Sequence, residues 1–274
     1  ALGETRASER SRKKQAKIAP ATRGKTLPAW CESGLDMFRT VAGPFEHGPV
    51  ALLRCTEIGH TVKVAALETV ALETLPLHSR TPRAWGREAL ADPVALLADH
   101  AFLEKKAAIN AMELMVRWPG EWAPGWVETL TGIARDEAAH LAQTVRLLTR
   151  RGGRLERGHR SPYASALRLL VRKGGTDELL DRLLVSGLIE ARSCERFAVL
   201  AATAVEVEPD LAAFYQALFS SELGHYKIFL KLAKQSADAD AVEVRWEQML
   251  AAEARILGEQ VPGSRIHSGV AVVE

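Results

Sequence analysis

Two glutamate–histidine pairs in this 274-residue sequence have the residue types and the spacing to bind metal. Glu137 precedes His140 by three positions, and Glu222 precedes His225 by three. In a helix this spacing places the carboxylate and the imidazole of each pair on one face. Both pairs interrupt a run of apolar positions, where an unpaired carboxylate would be costly to bury. We therefore predict that both pairs are metal ligands.

The Glu-x-x-His motif alone has low specificity, because this composition produces about one copy by chance. The sequence contains two further copies, Glu57–His60 and Glu156–His159. Gly59 lies inside the first, and the second falls in a stretch rich in Gly and Arg that is a poor helix former. We interpret both of these pairs as surface residues and not as ligands.

A glutamate about one helical hairpin upstream of each retained pair raises the specificity. Glu104 precedes Glu137 by 33 residues, and Glu190 precedes Glu222 by 32 residues. Each upstream glutamate falls on a helix face that otherwise carries small or apolar side chains. The residues of these faces are Leu96, Leu103, Ala107, Ala108 and Ala111 around Glu104, and Leu183, Ser186, Cys194 and Phe197 around Glu190.

Four glutamates and two histidines from four helices form the ligand set of carboxylate-bridged di-iron or di-manganese centres in ferritin-like bundles. Carboxylates are hard oxygen donors that can bridge two cations, and one imidazole per metal suits iron. Coordination positions left open would allow dioxygen to bind. The predicted metal ligands, which are also the predicted catalytic residues, are Glu104, Glu137, His140, Glu190, Glu222 and His225.

The apolar positions recur at helical spacing, and no segment shows the two-residue alternation of a strand. Asp92–Pro93, Pro124, Gly174–Gly175 and Pro209 mark predicted helix starts. We predict an all-α, ferritin-like four-helix bundle with additional helices. The predicted long helices cover about 92–118, 124–151, 176–205, 209–234 and 239–258, with a short helix within 154–173.

The sequence divides into three predicted regions. Residues 1–75 form a poorly defined N-terminal extension, in which the basic residues 1–25 are predicted to be disordered. Residues 76–260 form the di-iron helical domain. Residues 261–274 are predicted to be a loose C-terminal tail.

Composition excludes several other classes of protein. The three cysteines contain no Cys-x-x-Cys pair, which argues against a disulfide framework and a structural zinc site and fits a reducing cytoplasm. No apolar run approaches the roughly 18 residues of a membrane helix. The N-terminal sequence lacks the apolar core of a signal peptide. We therefore predict a cytoplasmic protein without a membrane partner.

Three residues near the predicted ligands have open interpretations. His100 lies one turn before the first ligand and is either a hydrogen-bond partner near the site or an ordinary core or surface histidine. Asp136 either orients a ligand histidine or is an exposed acid. Glu195 is predicted to point away from the ligand face, with Arg192 and Arg196 as its partners.

Four segments resemble the bacterial tRNA hydroxylases that act on 2-methylthio-isopentenyladenosine beside the anticodon. They are DHAFLEKKAAINA (99–111), DEAAH (136–140), LIEARSCERF (188–197) and SELGHY (221–226), and the resemblance covers about residues 75–260. It implies a non-haem di-iron monooxygenase that hydroxylates the isopentenyl side chain at adenosine 37 of tRNA. It also implies two iron ions per chain on the six ligands above, dioxygen as co-substrate, and an unidentified electron-transfer protein as external electron donor.

The net charge of +2, from 36 basic and 34 acidic residues, hides a basic segment that would suit a tRNA substrate. Residues 146–173 carry nine basic side chains and one acidic side chain, a sum of +8. Such clusters bind RNA phosphates, and the target base would flip out of its stack to reach the metals. The predicted tRNA-binding residues are Arg146, Arg150, Arg151, Arg154, Arg157, Arg160, Arg168, Arg172 and Lys173.

Two alternative functions remain open at this point. Another ferritin-like di-iron oxidase or oxygenase, acting on iron or a small molecule, would explain the ligands but not the basic segment. A non-enzymatic helical RNA-binding module would explain the basic segment and leave the Glu-x-x-His pairs incidental. Iron content and nucleoside analysis of tRNA separate the three functions.

Overall fold

The computed structural model describes residues 69, 71, 73–120 and 122–271, and the regular elements of this part of the chain are all helices. Predictions that fall on residues 1–68, including the disordered arm and the Glu57–His60 pair, lie outside the described residues. The predicted all-α class is confirmed. The helices are α1 (Arg83–Ala89), α2 (Pro93–Met115), α3 (Trp126–Arg150), α4 (Pro162–Arg168), α5 (Gly175–Ala204), α6 (Pro209–Ser236) and α7 (Ala239–Gly258).

Local sequence explains where several of these helices begin. The Asp92 side chain accepts a hydrogen bond of 2.9 Å from the backbone N–H of Ala95, and Pro93 occupies the first turn of α2. Ser161 caps α4 in the same way. Helix α3 begins after Gly125, whose φ of 81° is readily available only to glycine, so this helix starts just after the predicted position.

The bundle consists of two helical hairpins that both supply predicted ligands. Helix α2 packs along α3, and α5 packs along α6. Helix α5 also contacts α1, α4 and α7, and its side chains are therefore buried along nearly its whole length. The short helices α1 and α4 and the 20-residue α7 are the additional helices of the fold.

Two clusters of apolar side chains form the core, and the predicted ligand pairs lie between them along the helices. On α3, Ile133 belongs to the first cluster and Leu148 to the second. On α6, Phe229 belongs to the first and Leu218 to the second. The apolar stripe of each helix thus packs on both sides of its Glu-x-x-His pair, which fixes the pair in the interior.

The C-terminal segment is packed, and the prediction of a loose tail is wrong for its central part. Ile266 and Ser268 are buried. The Ile266 N–H donates to Asp99 Oδ2 at 3.0 Å, and the Trp85 indole N–H donates to Ser268 Oγ at 2.8 Å. The segment lacks helical periodicity in its sequence. Long-range hydrogen bonds, and not a helical apolar face, hold it in place.

The apolar core begins before residue 76, where the sequence places the start of the helical domain. Ala71 and Leu75 are buried members of the first core cluster. Among the described residues, no helix combines the length and the apolar character required to cross a membrane.

Candidate metal centre

The six predicted ligands come together in the interior of the bundle. Within the described residues they form two groups of four whose ligand atoms lie within 4.8 Å of one another, and Glu137 and Glu222 belong to both groups. All six side chains are buried. The first group is Glu104, Glu137, His140 and Glu222, and the second is Glu137, Glu190, Glu222 and His225.

The distances place the two shared carboxylates between the two imidazoles. His225 Nδ1 lies 2.7 Å from Glu137 Oε1 and 3.3 Å from Glu222 Oε2. His140 Nδ1 lies 3.2 Å from Glu222 Oε1 and 3.7 Å from Glu137 Oε2. Glu137 and Glu222 are therefore the candidates for bridging carboxylates, and the other two glutamates are the candidates for terminal ligands.

Unpaired polar atoms show that this donor set fits a two-metal centre. His140 Nδ1, Glu137 Oε1 and Glu222 Oε1 are buried without a hydrogen bond from the described residues. Each such atom costs about 1–3 kcal/mol when nothing compensates it. Two dications would offset the charge of four carboxylates, and the mixed oxygen and imidazole donors suit iron.

The pKa values of the ligands show how the site balances its charge without cations. Burial raises the pKa of Glu137 above its usual range, and it does the same for the two terminal glutamates. Burial acts to lower the pKa of His140, but the three neighbouring carboxylates raise it to about 12. In Glu222, the interaction with both neighbouring histidines outweighs burial and lowers the pKa. The raised pKa values favour protonated ligands, and these protons offset part of the carboxylate charge. Metal binding is expected to release them.

His100 contacts the terminal ligand of α2. Its Nε2 makes a short hydrogen bond with Glu104 Oε1, and its ring packs against Phe197, Phe214 and Tyr215. Burial lowers the pKa of His100 to about 4, which favours the neutral imidazole. When Glu104 is an ionised metal ligand it can only accept, so Nε2 of His100 would then be the donor. His100 is therefore both a core residue and a hydrogen-bond partner of a predicted ligand.

Asp136 lies beside the other histidine of the site. Its Oδ2 is 3.7 Å from His225 Nε2, and its side chain is 41% exposed and pairs with Arg135 at 3.0 Å. Nδ1 of His225 faces the shared carboxylates. This geometry favours the interpretation that Asp136 orients His225 from the protein surface.

Glu195 takes no part in the metal centre. Arg192 Nη1 donates to its Oε2 at 2.6 Å, and the Thr81 N–H donates to its Oε1 at 2.8 Å. The predicted partner Arg192 is thus confirmed. The Arg196 guanidinium instead lies over the Trp85 ring, 3.9 Å from the ring centroid.

His159 lies outside the two groups of ligand atoms, but it is not the surface residue that the sequence predicts. Its Nε2 lies 2.7 Å from Asp99 Oδ1, and its Nδ1 lies 2.8 Å from Lys106 Nζ. Its ring stacks on Phe102 with centroids 5.0 Å apart. These contacts fasten the basic loop 154–161 to α2, and the sequence gives no signal for them because the partners are 53 to 60 residues away.

The basic segment 146–173 is mostly exposed, but two of its arginines are held by acidic residues. Arg151 pairs with Glu208 at 2.8 Å, and Arg172 pairs with Asp181 at 2.8 Å. Arg154 pairs only loosely with the exposed Glu156, at 3.5 Å. Within the described residues, no ion pair is formed by Arg146, Arg150, Arg157, Arg160, Arg168 or Lys173.

A pocket bordered by α2, α4 and α5, here called the access pocket, adjoins the metal centre. It shares Leu103, Ala107, Ile189 and Glu190 with a small cavity of about 30 Å³ beside the ligands. Its own volume is about 90 Å³, with the exposed Arg168 among its polar residues. This volume lies well below the range of about 300–1,000 Å³ that is usual for ligand sites, so the space suits a small apolar group and not a whole nucleoside.

Comparisons with known proteins agree with this geometry. The family model described as tRNA-(MS2IO6A)-hydroxylase (MiaE) matches residues 69–268. The tRNA 2-(methylsulfanyl)-N(6)-isopentenyladenosine(37) hydroxylase of Pseudomonas putida KT2440 is 38% identical over 190 residues, which cover 69% of this chain and 90% of that protein. The enzyme of the same name from Salmonella typhimurium LT2 is 27% identical over 242 residues, covering 71% and 88%.

A solved structure supports the bundle fold. It is a Synechococcus protein with aldehyde deformylating oxygenase activity, and it is 37% identical with a TM-score of 0.65. The similarity covers 72% of this chain and 98% of that chain.

Proposed function

The chain belongs to the MiaE family of tRNA hydroxylases, and from this we propose that it hydroxylates the isopentenyl side chain of 2-methylthio-isopentenyladenosine at position 37 of tRNA. The observation that carries the proposal is the direct connection between the two-metal ligand set and an apolar pocket beside a basic surface. This combination provides for metal binding, for a small aliphatic group and for RNA phosphates in one place.

The ligand assignment follows from the two groups of side chains. Glu104 and His140 would hold one iron ion and Glu190 and His225 the other, and Glu137 and Glu222 belong to both groups of ligand atoms. When bound, the two iron ions supply activation of dioxygen for oxygen transfer to a C–H bond, with electrons from a separate electron-transfer protein.

The access pocket positions the aliphatic side chain at this centre. Leu103, Ala107 and Ile189 offer an apolar surface that ends at Glu190, and they exclude water from the reacting carbon. The purine does not fit the pocket and stays outside it. The nucleotide must therefore leave the anticodon stack before its isopentenyl group reaches the ligands.

The exposed residues of the basic segment that are unpaired, together with the loosely paired Arg154, bind tRNA phosphates. Reversing the charge of Arg150 and Arg154 is expected to weaken tRNA binding and to reduce its dependence on salt, because fewer counterions are released. Fluorescence anisotropy at several salt concentrations measures both effects. Arg172→Gln is the matched control, since its ion pairs predict a loss of stability with little change in the salt dependence. Unchanged affinity in the double variant would disprove the role.

Mass spectrometry of tRNA nucleosides tests the function directly. A strain that lacks the gene should accumulate the unhydroxylated nucleoside, and purified iron-loaded protein with an electron donor should convert it. Persistence of the hydroxylated nucleoside in the deletion strain would remove the assignment. If the purified protein held far fewer than about two irons per chain, the assignment of a ferritin-like di-iron ligand set to this chain would be contradicted.

The Synechococcus structure supports a second candidate function, oxygenation of an aldehyde. The observation in its favour is the 37% identity across 98% of that chain. The exposed arginines beside the access pocket favour RNA instead. Incubating the purified protein with a long-chain aldehyde and with modified tRNA, each in separate reactions, distinguishes the two functions.

A further inference from the structure

A second and larger cavity, here called the lateral cavity, lies beside the access pocket and has no role in the steps above. Its volume is about 410 Å³, and it is lined by the start of α4 and by residues 259–268 of the C-terminal region. Pro162 and Tyr163 of α4 face this cavity, whereas Ala164 and Arg168 face the access pocket. Helix α4 therefore lies between the two spaces.

The size of the lateral cavity matches a larger ligand than the access pocket can take. Its volume falls within the range of about 300–1,000 Å³ that is usual for ligand sites. His267 lines both spaces, so they are separated locally by one side chain. Ser193, which approaches His267 Nε2 with its Oγ at 3.2 Å, also lines the cavity beside the metal ligands.

The rim of the lateral cavity is suited to phosphate. Arg160 and Arg265 are exposed, and neither forms an ion pair with the residues that the structure describes. Asp99 also lines the cavity, but its oxygens are already bonded to His159 and to the N–H of Ile266. Glu259 is the acidic residue that remains exposed there.

The wall of the lateral cavity combines apolar side chains with an unpaired polar atom. Pro162, Val261 and Pro262 line the cavity and are exposed. Behind them the buried His267 imidazole stacks on Tyr163, and its Nδ1 has no hydrogen-bond partner within the described residues. A nucleobase combines a flat apolar face with hydrogen-bonding edges and is complementary to such a mixed lining.

We propose that the lateral cavity binds the base of a nucleotide that adjoins the modified adenosine, while the isopentenyl group occupies the access pocket. The proposal rests on the proposed function. Helix α4 then lies between two nucleotides of one strand and keeps their bases apart. Arg160 and Arg265 neutralise the phosphate that connects these nucleotides and a phosphate that flanks it.

The test measures binding of RNA stem–loops by fluorescence anisotropy to the iron-loaded protein. One RNA carries the modified adenosine in an intact loop, and two others have an abasic site on its 5′ or its 3′ side. Val261→Trp fills the lateral cavity, and Arg265→Glu reverses a charge at its rim. Val244→Trp and Arg255→Glu are matched controls at exposed positions of α7 outside the cavity.

One abasic RNA is expected to bind the wild-type protein about tenfold more weakly, because a stacked base is lost. Val261→Trp should weaken binding of the intact RNA to a similar extent and should no longer distinguish it from that abasic RNA, since the two changes remove the same interaction. Arg265→Glu should weaken binding about tenfold by removing a phosphate contact. Both controls should bind like the wild type.

Two results overturn the proposal. In the first, neither abasic RNA binds the wild-type protein more weakly than the intact RNA does. In the second, the abasic site weakens binding equally in the wild type and in Val261→Trp. In both cases hydroxylation of the intact stem–loop by the wild-type protein leaves the proposed function in place. If the wild-type protein neither binds nor hydroxylates the intact stem–loop, the proposed function fails together with the role of the cavity.

Discussion

The two halves of the metal centre have the same ligand types and different surroundings. In the closed half, formed by Glu104 and His140, the terminal glutamate accepts a hydrogen bond from the buried His100. In the open half, formed by Glu190 and His225, the terminal glutamate lines the access pocket. One half is fixed by the core, and the other faces the access pocket.

Equivalent positions on two helices produce this difference. His100 lies four residues before Glu104, and Ser186 lies four residues before Glu190. Ser186 is too short to reach the ligand, accepts a hydrogen bond from Asn110 and leaves space for the access pocket. The residue one helical turn before each terminal glutamate therefore decides whether that glutamate is enclosed by the core or lines the access pocket.

The largest expected effect separates the shared carboxylates from the terminal ones. Glu137→Ala or Glu222→Ala should lose both irons and reduce hydroxylation at least about a thousandfold, because metal-ion catalysis supplies several kcal/mol. Glu104→Ala and Glu190→Ala should each keep part of the iron. Metal analysis and nucleoside mass spectrometry measure these outcomes, with circular dichroism to check the fold. Complete iron loss in the terminal variants, with retention in Glu137→Ala, would reverse the assignment.

The next effect concerns the hydrogen bond that distinguishes the closed half. His100→Phe keeps a ring in the core but removes the N–H that Glu104 accepts, and it is expected to lower iron affinity or activity about 10–100-fold. His100→Gln should recover part of the loss, because its amide can donate. Ser186→Ala, at the equivalent position of the open half, should change activity much less. Equal losses at both positions would mean that the halves do not differ in this way.

A smaller effect is expected when the open half is blocked. Ala107→Leu fills part of the access pocket and should raise the KM for tRNA about tenfold, a size typical of overpacking. Iron content should not change, since the ligands stay in place. Ala108→Leu is the matched control, because the next residue of the same helix does not line the pocket. Similar kinetics in the two variants would argue against this route for the substrate.

The smallest effect is expected at Asp136. Asp136→Asn keeps the shape of the side chain and removes a charge that is partly exposed and 3.7 Å from His225 Nε2. Exposed charge pairs contribute about 0–1 kcal/mol, so the rate of iron loss should rise only a few-fold. Iron release to a chelator, followed over time, provides the measurement. A loss of iron as large as that in His100→Phe would show that Asp136 constrains His225 as strongly as His100 constrains Glu104.

Local patterns explain why the helices and the ligands could be predicted from the sequence. The six ligands interrupt apolar stripes that repeat every three to four residues, and this signal needs no knowledge of distant contacts. The charge of the basic segment was equally visible. The ion pairs of its arginines were not visible. Arg151 pairs with Glu208 and Asp210, which are distant in sequence. Arg172 pairs with Asp177 and Asp181, which lie near it but outside the basic segment.

Contacts between distant segments explain what the sequence could not predict. His159 was excluded as a ligand from its poor helical context, but its role depends on Asp99 and Lys106, which lie on another element. The order of residues 264–269 depends on Trp85, Asp99 and Arg196. The two cavities arise only where α4 meets other segments.

The hydrogen bond between Asp99 and Ile266 joins residues 167 positions apart, and this separation affects how the protein folds during its synthesis. Helices α1 and α2 leave the ribosome while Trp85 and Asp99 still lack their C-terminal partners. Contacts of such long sequence separation form late and slowly. A nascent chain that stops before residue 264 lacks the segment that bonds to Asp99 and that places Ile266 in the wall beside the predicted metal ligands.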